Sequence, residues 1–190
     1  QEDMQVGVAW VAAALIVSLC LDGRLLLWDV AADGGLALAA EVDGTQGPIN
    51  SLACDPSTGI LAQGGPDGVV AVTPPERPPK RAKVGKGISH ILAHSPAYKG
   101  PPEVWIFSLD DCARRLSLET CEFIGEPIAV KEFVVGAAWL DPEETKAVVA
   151  TSKNNLLCIS PGGVEWTRSD ALARRPTALA SHPGAPGKLA

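Results

Sequence analysis

The sequence predicts an all-β protein made of repeated four-stranded sheets, set side by side as the wedges of a partial β-propeller. Three observations predict it. Strand-turn-strand units recur with their turns at Asp22-Gly23, Asp67-Gly68, Asp110-Asp111 and Lys153-Asn154, at intervals of 45, 43 and 43 residues. Periods of about 40 to 45 residues with that content mark propeller blades. The turns carry Asp, Asn and Gly, the residues that close tight hairpins because they accept positive φ or hydrogen-bond their own backbone. Helix-period apolar patterns are nearly absent, so strands are expected throughout.

Each unit supplies its own strands. The first, over 6–43, reads VGVAW, LIVSLCL, the Asp22-Gly23 turn, RLLLWDV and LALAAEV. The second, over 48–86, opens with PINSLACDP and turns at Asp55-Pro56. GILAQGG and VVAVTP then flank Asp67-Gly68. Its fourth strand is the weakest in the chain, because PPERPPKRAKVGK, Pro74 to Lys86, is rich in proline and basic residues. Proline cannot donate to a ladder, so this stretch is expected to be an exposed loop, solvated or serving as a contact patch. The third unit, over 88–130, contains ISHILAHSP, EVWIFSL, ARRLSLE and CEFIGEPIAV; the fourth, over 133–170, contains FVVGAAWLDP, KAVVATS, LLCIS and GVEWTRS. PTALASHPG begins an incomplete fifth over 176–190. Four units and part of a fifth suggest an open fragment of a larger ring, since closed propellers seal by pairing their two ends.

A net charge of -6 and a pI near 5.0 argue against nucleic acid or an anionic membrane as the main partner, because phosphate binding is driven by clustered Lys and Arg. The five cysteines, Cys20, Cys54, Cys112, Cys121 and Cys158, are scattered without a CxxC pair. Neither a disulfide framework nor a zinc site is expected from them, and small apolar thiols in a reducing compartment fit better. The apolar run Val6 to Leu21 falls short of the roughly 20 residues a membrane helix needs and has acidic residues before it. Two successive buried strands explain it.

No catalytic site is expected. GxSxG, a phosphate loop and a dinucleotide glycine pattern are all missing from the sequence, and no nucleophile sits in a recognisable activating context. His90 and His94 are four apart, but on a strand that spacing spans about 13 Å, too far for one metal ion. Neither metal nor cofactor is therefore anticipated. The adjacent acids Asp110-Asp111 read as turn formers, and Trp28 reads as a ring filling the space between sheets.

These residues resemble the WD-repeat family. The resemblance is carried by the turn-strand-Trp-Asp pattern at 22 to 29 and its weaker copies downstream, although the Gly-His that commonly opens a repeat is replaced by Asp43-Gly44 and Val84-Gly85 in the corresponding neighbourhoods. EDMQVGVAW followed by LIVSLCLDGRLLLWDV, then PINSLACDPSTGILAQGGPDG, FSLDDCARRL and VVGAAWLDPEETKAVVATSKNNLLCI, is similar to the junction between the two propellers of the actin-interacting members of that family. That resemblance implies the first half of a second propeller and a non-enzymatic protein of the cytoplasmic actin cytoskeleton. It would bind actin filaments and cofilin (actin-depolymerising factor) and promote filament disassembly. A WD-repeat scaffold for another complex, or a propeller hydrolase, are the competing readings; the second needs polar residues that VGVAW and VVGAAW do not offer. No contact residue is fixed by a motif. Turn position alone selects Asp22, Arg24, Asp67, Asp110, Asp111 and Arg114 as candidate partner-binding residues.

Overall fold

Sixteen strands pair into four antiparallel sheets of four in the computed structural model, which describes residues 5–12, 14–20, 22–43, 49–75, 77–174, 176 and 179. Sheet 1 contains β1 (Gln5–Ala12), β2 (Leu15–Cys20), β3 (Arg24–Val30) and β4 (Leu36–Asp43). Sheet 2 contains β5 (Ser51–Cys54), β6 (Leu61–Gly64), β7 (Val69–Thr73) and β8 (Lys80–Lys83). Sheet 3 contains β9 (Ile88–Ala93), β10 (Glu103–Ser108), β11 (Cys112–Ser117) and β12 (Phe123–Ala129). Sheet 4 contains β13 (Val134–Trp139), β14 (Ala147–Thr151), β15 (Leu156–Ser160) and β16 (Gly163–Arg168). Within each sheet the strands pair in chain order, so every sheet is a meander that needs only short connections.

The four predicted turns occupy the same place in each sheet, between its second and third strands. Gly23 and Gly68 take φ of 96° and 72°, and Asp111 and Asn154 take 57° and 65°. This is the left-handed region that Gly, Asn and Asp tolerate best. Most of the apolar run Val6 to Leu21 forms β1 and β2, and among the described residues no helix is long and apolar enough to cross a bilayer.

One expectation is corrected. The basic Pro-rich stretch is a loop only in its first half; from Lys80 it becomes β8, which pairs with β7 through Val72↔Lys80, Ala71↔Arg81, Val70↔Ala82 and Val69↔Lys83. The prolines at 74, 75, 78 and 79 all precede the strand. An outermost strand bonds on one side only, so KRAK can form it with Ala82 turned inward and its charges outward. The fifth unit, apart from residues 176 and 179, lies outside the described residues.

Sheets stack face to face, and the alternation of side chains along a strand decides the contacts. In β10, Val104 and Ile106 face sheet 2, where Ala62, Val70, Val72 and Ala82 meet them. Trp105 and Phe107 face sheet 4, against Val134, Ala137, Val149 and Leu157. All six residues of β10 are buried, as expected for a strand covered on both faces. Sheet 1 packs on sheet 2 through Val17, Leu19, Leu25 and Leu61. On its other face Val8, Trp10, Leu36 and Leu38 are exposed among the described residues. Trp10 pairs with Ile16 and Trp139 with Ala147, each partner lying seven residues before the positive-φ residue of its sheet's turn, yet Trp10 is 60% exposed and Trp139 7%.

The first strands of successive sheets lie beside one another and are tied by polar bonds. Asn50 Nδ2 donates to the Ile88 carbonyl at 3.0 Å, the Ile91 amide to Ser51 Oγ at 2.8 Å, and Trp139 Nε1 to the Ala93 carbonyl at 2.8 Å.

The close approach at the second turn gives a test. A Cβ on Gly68 would sit 2.7 Å from the Lys86 carbonyl oxygen, whereas one on Gly85, also at positive φ, meets nothing within 4 Å. Gly85→Ala is expected to cost about 1–2 kcal/mol for the left-handed backbone alone, and Gly68→Ala at least ~1 kcal/mol more. Urea titration of both variants checks this, and equal losses would contradict the packing at that turn.

Candidate functional site

The six residues selected by turn position all fall on one edge of the array, where the second-to-third-strand turns meet the connections between sheets. Gly68 accepts from the Val84 amide and Asp111 from the Val130 and Lys131 amides, so turn and connector are bonded together.

Four of the six are largely committed to their own turns. Asp22 accepts from the Arg24 amide at 3.1 Å and from Arg24 Nε at 2.7 Å, while Arg24 Nη1 also reaches Glu41 at 2.9 Å. The Arg24 guanidinium accordingly holds the Asp22 carboxyl below its usual range. Arg114 grips Asp110 through both terminal nitrogens, and Ser108 Oγ donates to Asp110 at 2.6 Å. Arg114, with Ser108, holds the Asp110 carboxyl down at about 2. Asp67 accepts the Val69 amide at 3.1 Å. The structure therefore pairs Asp22 with Arg24 and Asp110 with Arg114, and leaves Asp67 and Asp111 as exposed acids on the same edge. The fourth turn uses residues the sequence did not single out. Glu132, from the connection before β13, accepts from Thr151 Oγ1 and from Asn155 Nδ2. Trp28 is half-buried and donates through Nε1 to Ser18 Oγ at 2.8 Å.

The opposite edge carries a buried polar node between sheets 3 and 4. His94, just past β9, is stacked between Tyr98 and Trp139, with ring centroids 3.5 and 4.3 Å away and planes within 13°. Its Nδ1 lies 3.0 Å from Glu144 Oε2, which also accepts the Ser95 amide at 2.8 Å. Its Nε2 lies 3.7 Å from Glu103 Oε1, too far for a hydrogen bond. Glu103 is held by Arg115 through Nε at 3.0 Å and Nη2 at 2.8 Å, and by Trp105 Nε1 at 3.3 Å. Burial alone would raise the Glu103 carboxyl; the contacts with His94 and Arg115 outweigh it and hold it down at about 2.

His90 and His94 do not converge: His90 lies 6.2 Å from the Phe107 ring, and burial lowers its affinity for a proton. Among the described residues no cluster of His, Cys, Asp or Glu is grouped to hold a metal ion. Burial pushes the Cys54 thiol up to about 11 and raises Cys112, Cys121 and Cys158, which disfavours the thiolate form that a nucleophile needs. The arrangement is suited to holding sheets and presenting two edges.

The comparisons agree with that architecture. No protein-family model matches the chain, and no curated protein does. Among solved structures, the chain is similar to the Myceliophteria thermophila Cps50 (Swd1) β-propeller domain, with a TM-score of 0.74 at 12% identity, covering 94% of this chain and 59% of that one. It is similar to a chain of the mitotic checkpoint complex, with a TM-score of 0.74 at 17% identity, covering 92% and 56%. It is also similar to the WD40 β-propeller domain of Doa1, with a TM-score of 0.68 at 16% identity, covering 95% and 58%. The fold is that of WD40 β-propeller domains, and the chain spans under two thirds of each of these chains.

The node predicts an acid-side transition. Glu103 has a folded pKa near 2 against an ordinary 4.5, so its contribution is fully present above about 4.5 and is lost as pH falls toward 2. Denaturant titrations between pH 6 and 2.5 should show wild-type stability falling steeply through that window. Glu103→Gln should be less stable at neutral pH and flatter across the window; an unchanged slope would contradict the pairing.

Proposed function

We propose that this chain is a protein-interaction scaffold, and that its partner is the actin filament carrying cofilin. Support for the first part is the WD40 propeller fold, a rigid set of sheets that presents loops without a catalytic centre in view. The second part rests on a single observation, the order of segments from EDMQVGVAW to VVATSKNNLLCI described above. A cytoplasmic location on the actin cytoskeleton belongs to the same reading. Fold alone does not select a partner, and assembly with a different protein complex is the competing reading.

The mechanism would be differential binding. A ligand shifts an equilibrium only by its difference in affinity for the two states, so the scaffold must hold a cofilin-distorted filament more tightly than a bare one. Asp67 and Asp111 are the predicted acids left exposed on the turn edge and are its candidate contacts. Cosedimentation with actin filaments, with and without cofilin, tests this. Pelleting is expected to rise several-fold with cofilin, and Asp67→Lys with Asp111→Lys to reduce that gain. Equal, negligible pelleting in both conditions would reject the filament reading while leaving the scaffold reading intact.

A further inference from the structure

We propose that the cleft between sheets 1 and 2 binds an extended peptide that carries a large apolar side chain beside acidic residues. The cleft lies at the Leu15 end of β2, on the edge opposite the Asp22 turn, and so is independent of the filament contacts proposed above. Its walls are Val11, Leu15 and Leu27 of sheet 1 and Leu61 of sheet 2, and its volume is about 350 Å³. That is within the range of small binding sites, and such sites pair an apolar lining with a few placed polar groups.

Two polar groups are placed here without a partner. Thr73 lines the cleft and is 7% exposed, and its hydroxyl makes no hydrogen bond. A buried hydroxyl of this kind is a cost unless something outside the fold meets it. Arg77 stands at the mouth, exposed, and its guanidinium forms no hydrogen bond or ion pair with the described residues. The hydroxyl suits a peptide amide or carbonyl, and the guanidinium suits a carboxylate.

Charge then selects the peptide. From Arg77 the chain runs directly into β8, and Arg77, Lys80, Arg81, Lys83 and Lys86 place five positive charges within ten residues of a protein whose net charge is -6. Lys80 is paired with Val72, the neighbour of Thr73, so the basic strand begins beside the cleft. Lys80 Nζ donates to the Glu119 carbonyl at 2.7 Å, on the face of β8 where Ala82 packs toward sheet 3. Arg81 and Lys83 are therefore the charges on the face toward sheet 1, and an acidic chain leaving the cleft would run past Arg77 along them. An apolar anchor in the cleft fixes the register, and the acids that follow meet the basic strand.

Fluorescence anisotropy on the full chain tests the site. The probe is a fluorescein-labelled peptide, Gly-Leu-Phe-Asp-Glu-Asp-Gly, measured beside one with lysines for its acids and one with serines for Leu-Phe. The first peptide should bind saturably and both controls at least about tenfold more weakly. Arg77→Glu should weaken binding about tenfold, one charged hydrogen bond's worth, with an unchanged thermal midpoint. Thr73→Val should weaken binding several-fold while raising the midpoint, since it removes a buried unpaired hydroxyl. A raised midpoint with unaltered binding would reduce Thr73 to a packing residue and overturn the site. Equal binding of the acidic and basic peptides, or binding of phosphatidylserine vesicles but of no peptide, would also overturn it.

Discussion

Each of the four described sheets buries an apolar face against a neighbour, and the array depends on that stacking. That constraint explains the chain's composition more directly than any single contact. β10 is buried from end to end because Val104 and Ile106 pack one way and Trp105 and Phe107 the other. Apolar burial is worth roughly 25 cal/mol per Å², and each sheet obtains it only by stacking, as repeat architectures do. Sheet 1 shows the contrast on its outward face. Its outward face leaves Trp10 exposed in the position at which sheet 4 buries Trp139 against His94.

Polar groups set the register that apolar faces cannot. Hydrophobic contact is non-directional, so a sheet could slide on its neighbour with little loss. Hydrogen bonds from Asn50, the Ile91 amide and Trp139 to the adjoining first strands or their side chains oppose that sliding. The node of His94, Glu144, Glu103 and Arg115 adds a buried, charged lock between sheets 3 and 4. Removing one partner from such a group leaves another charge buried without compensation, which is why these contacts specify an arrangement more than they stabilise it.

Turns and buried strands were legible in the sequence because their signals are local. Asp22-Gly23 and Asp67-Gly68 announce their conformations within two residues, and the apolar run of EVWIFS announces a strand. The bonds that tie sheet to sheet were not legible, because their partners are far apart: Trp139 reaches Ala93, and Glu144 reaches His94 fifty positions away. A signal for one of them was present, since VGVAW and VVGAAW both end in tryptophan. β8 was the weakest strand in the sequence for a different reason. Four prolines and a run of charge read as loop, and only the pairing with β7 shows that the charges sit on an outer strand. The candidate turn residues lie on one edge, but their types were ambiguous: Arg114 and Asp110 are each other's partners, a pairing that serves the turn first.

Hydrogen exchange measured by mass spectrometry tests the stacking constraint most directly. Amides of β10 and β14, at the centre of sheets 3 and 4, should exchange together and slowest, through opening of the stacked array. Amides of β4, the outer strand beside the outward face of sheet 1, should exchange orders of magnitude faster. Exchange of β10 and β14 as rapid as that of β4 would show that the sheets do not depend on one another, and would contradict the account.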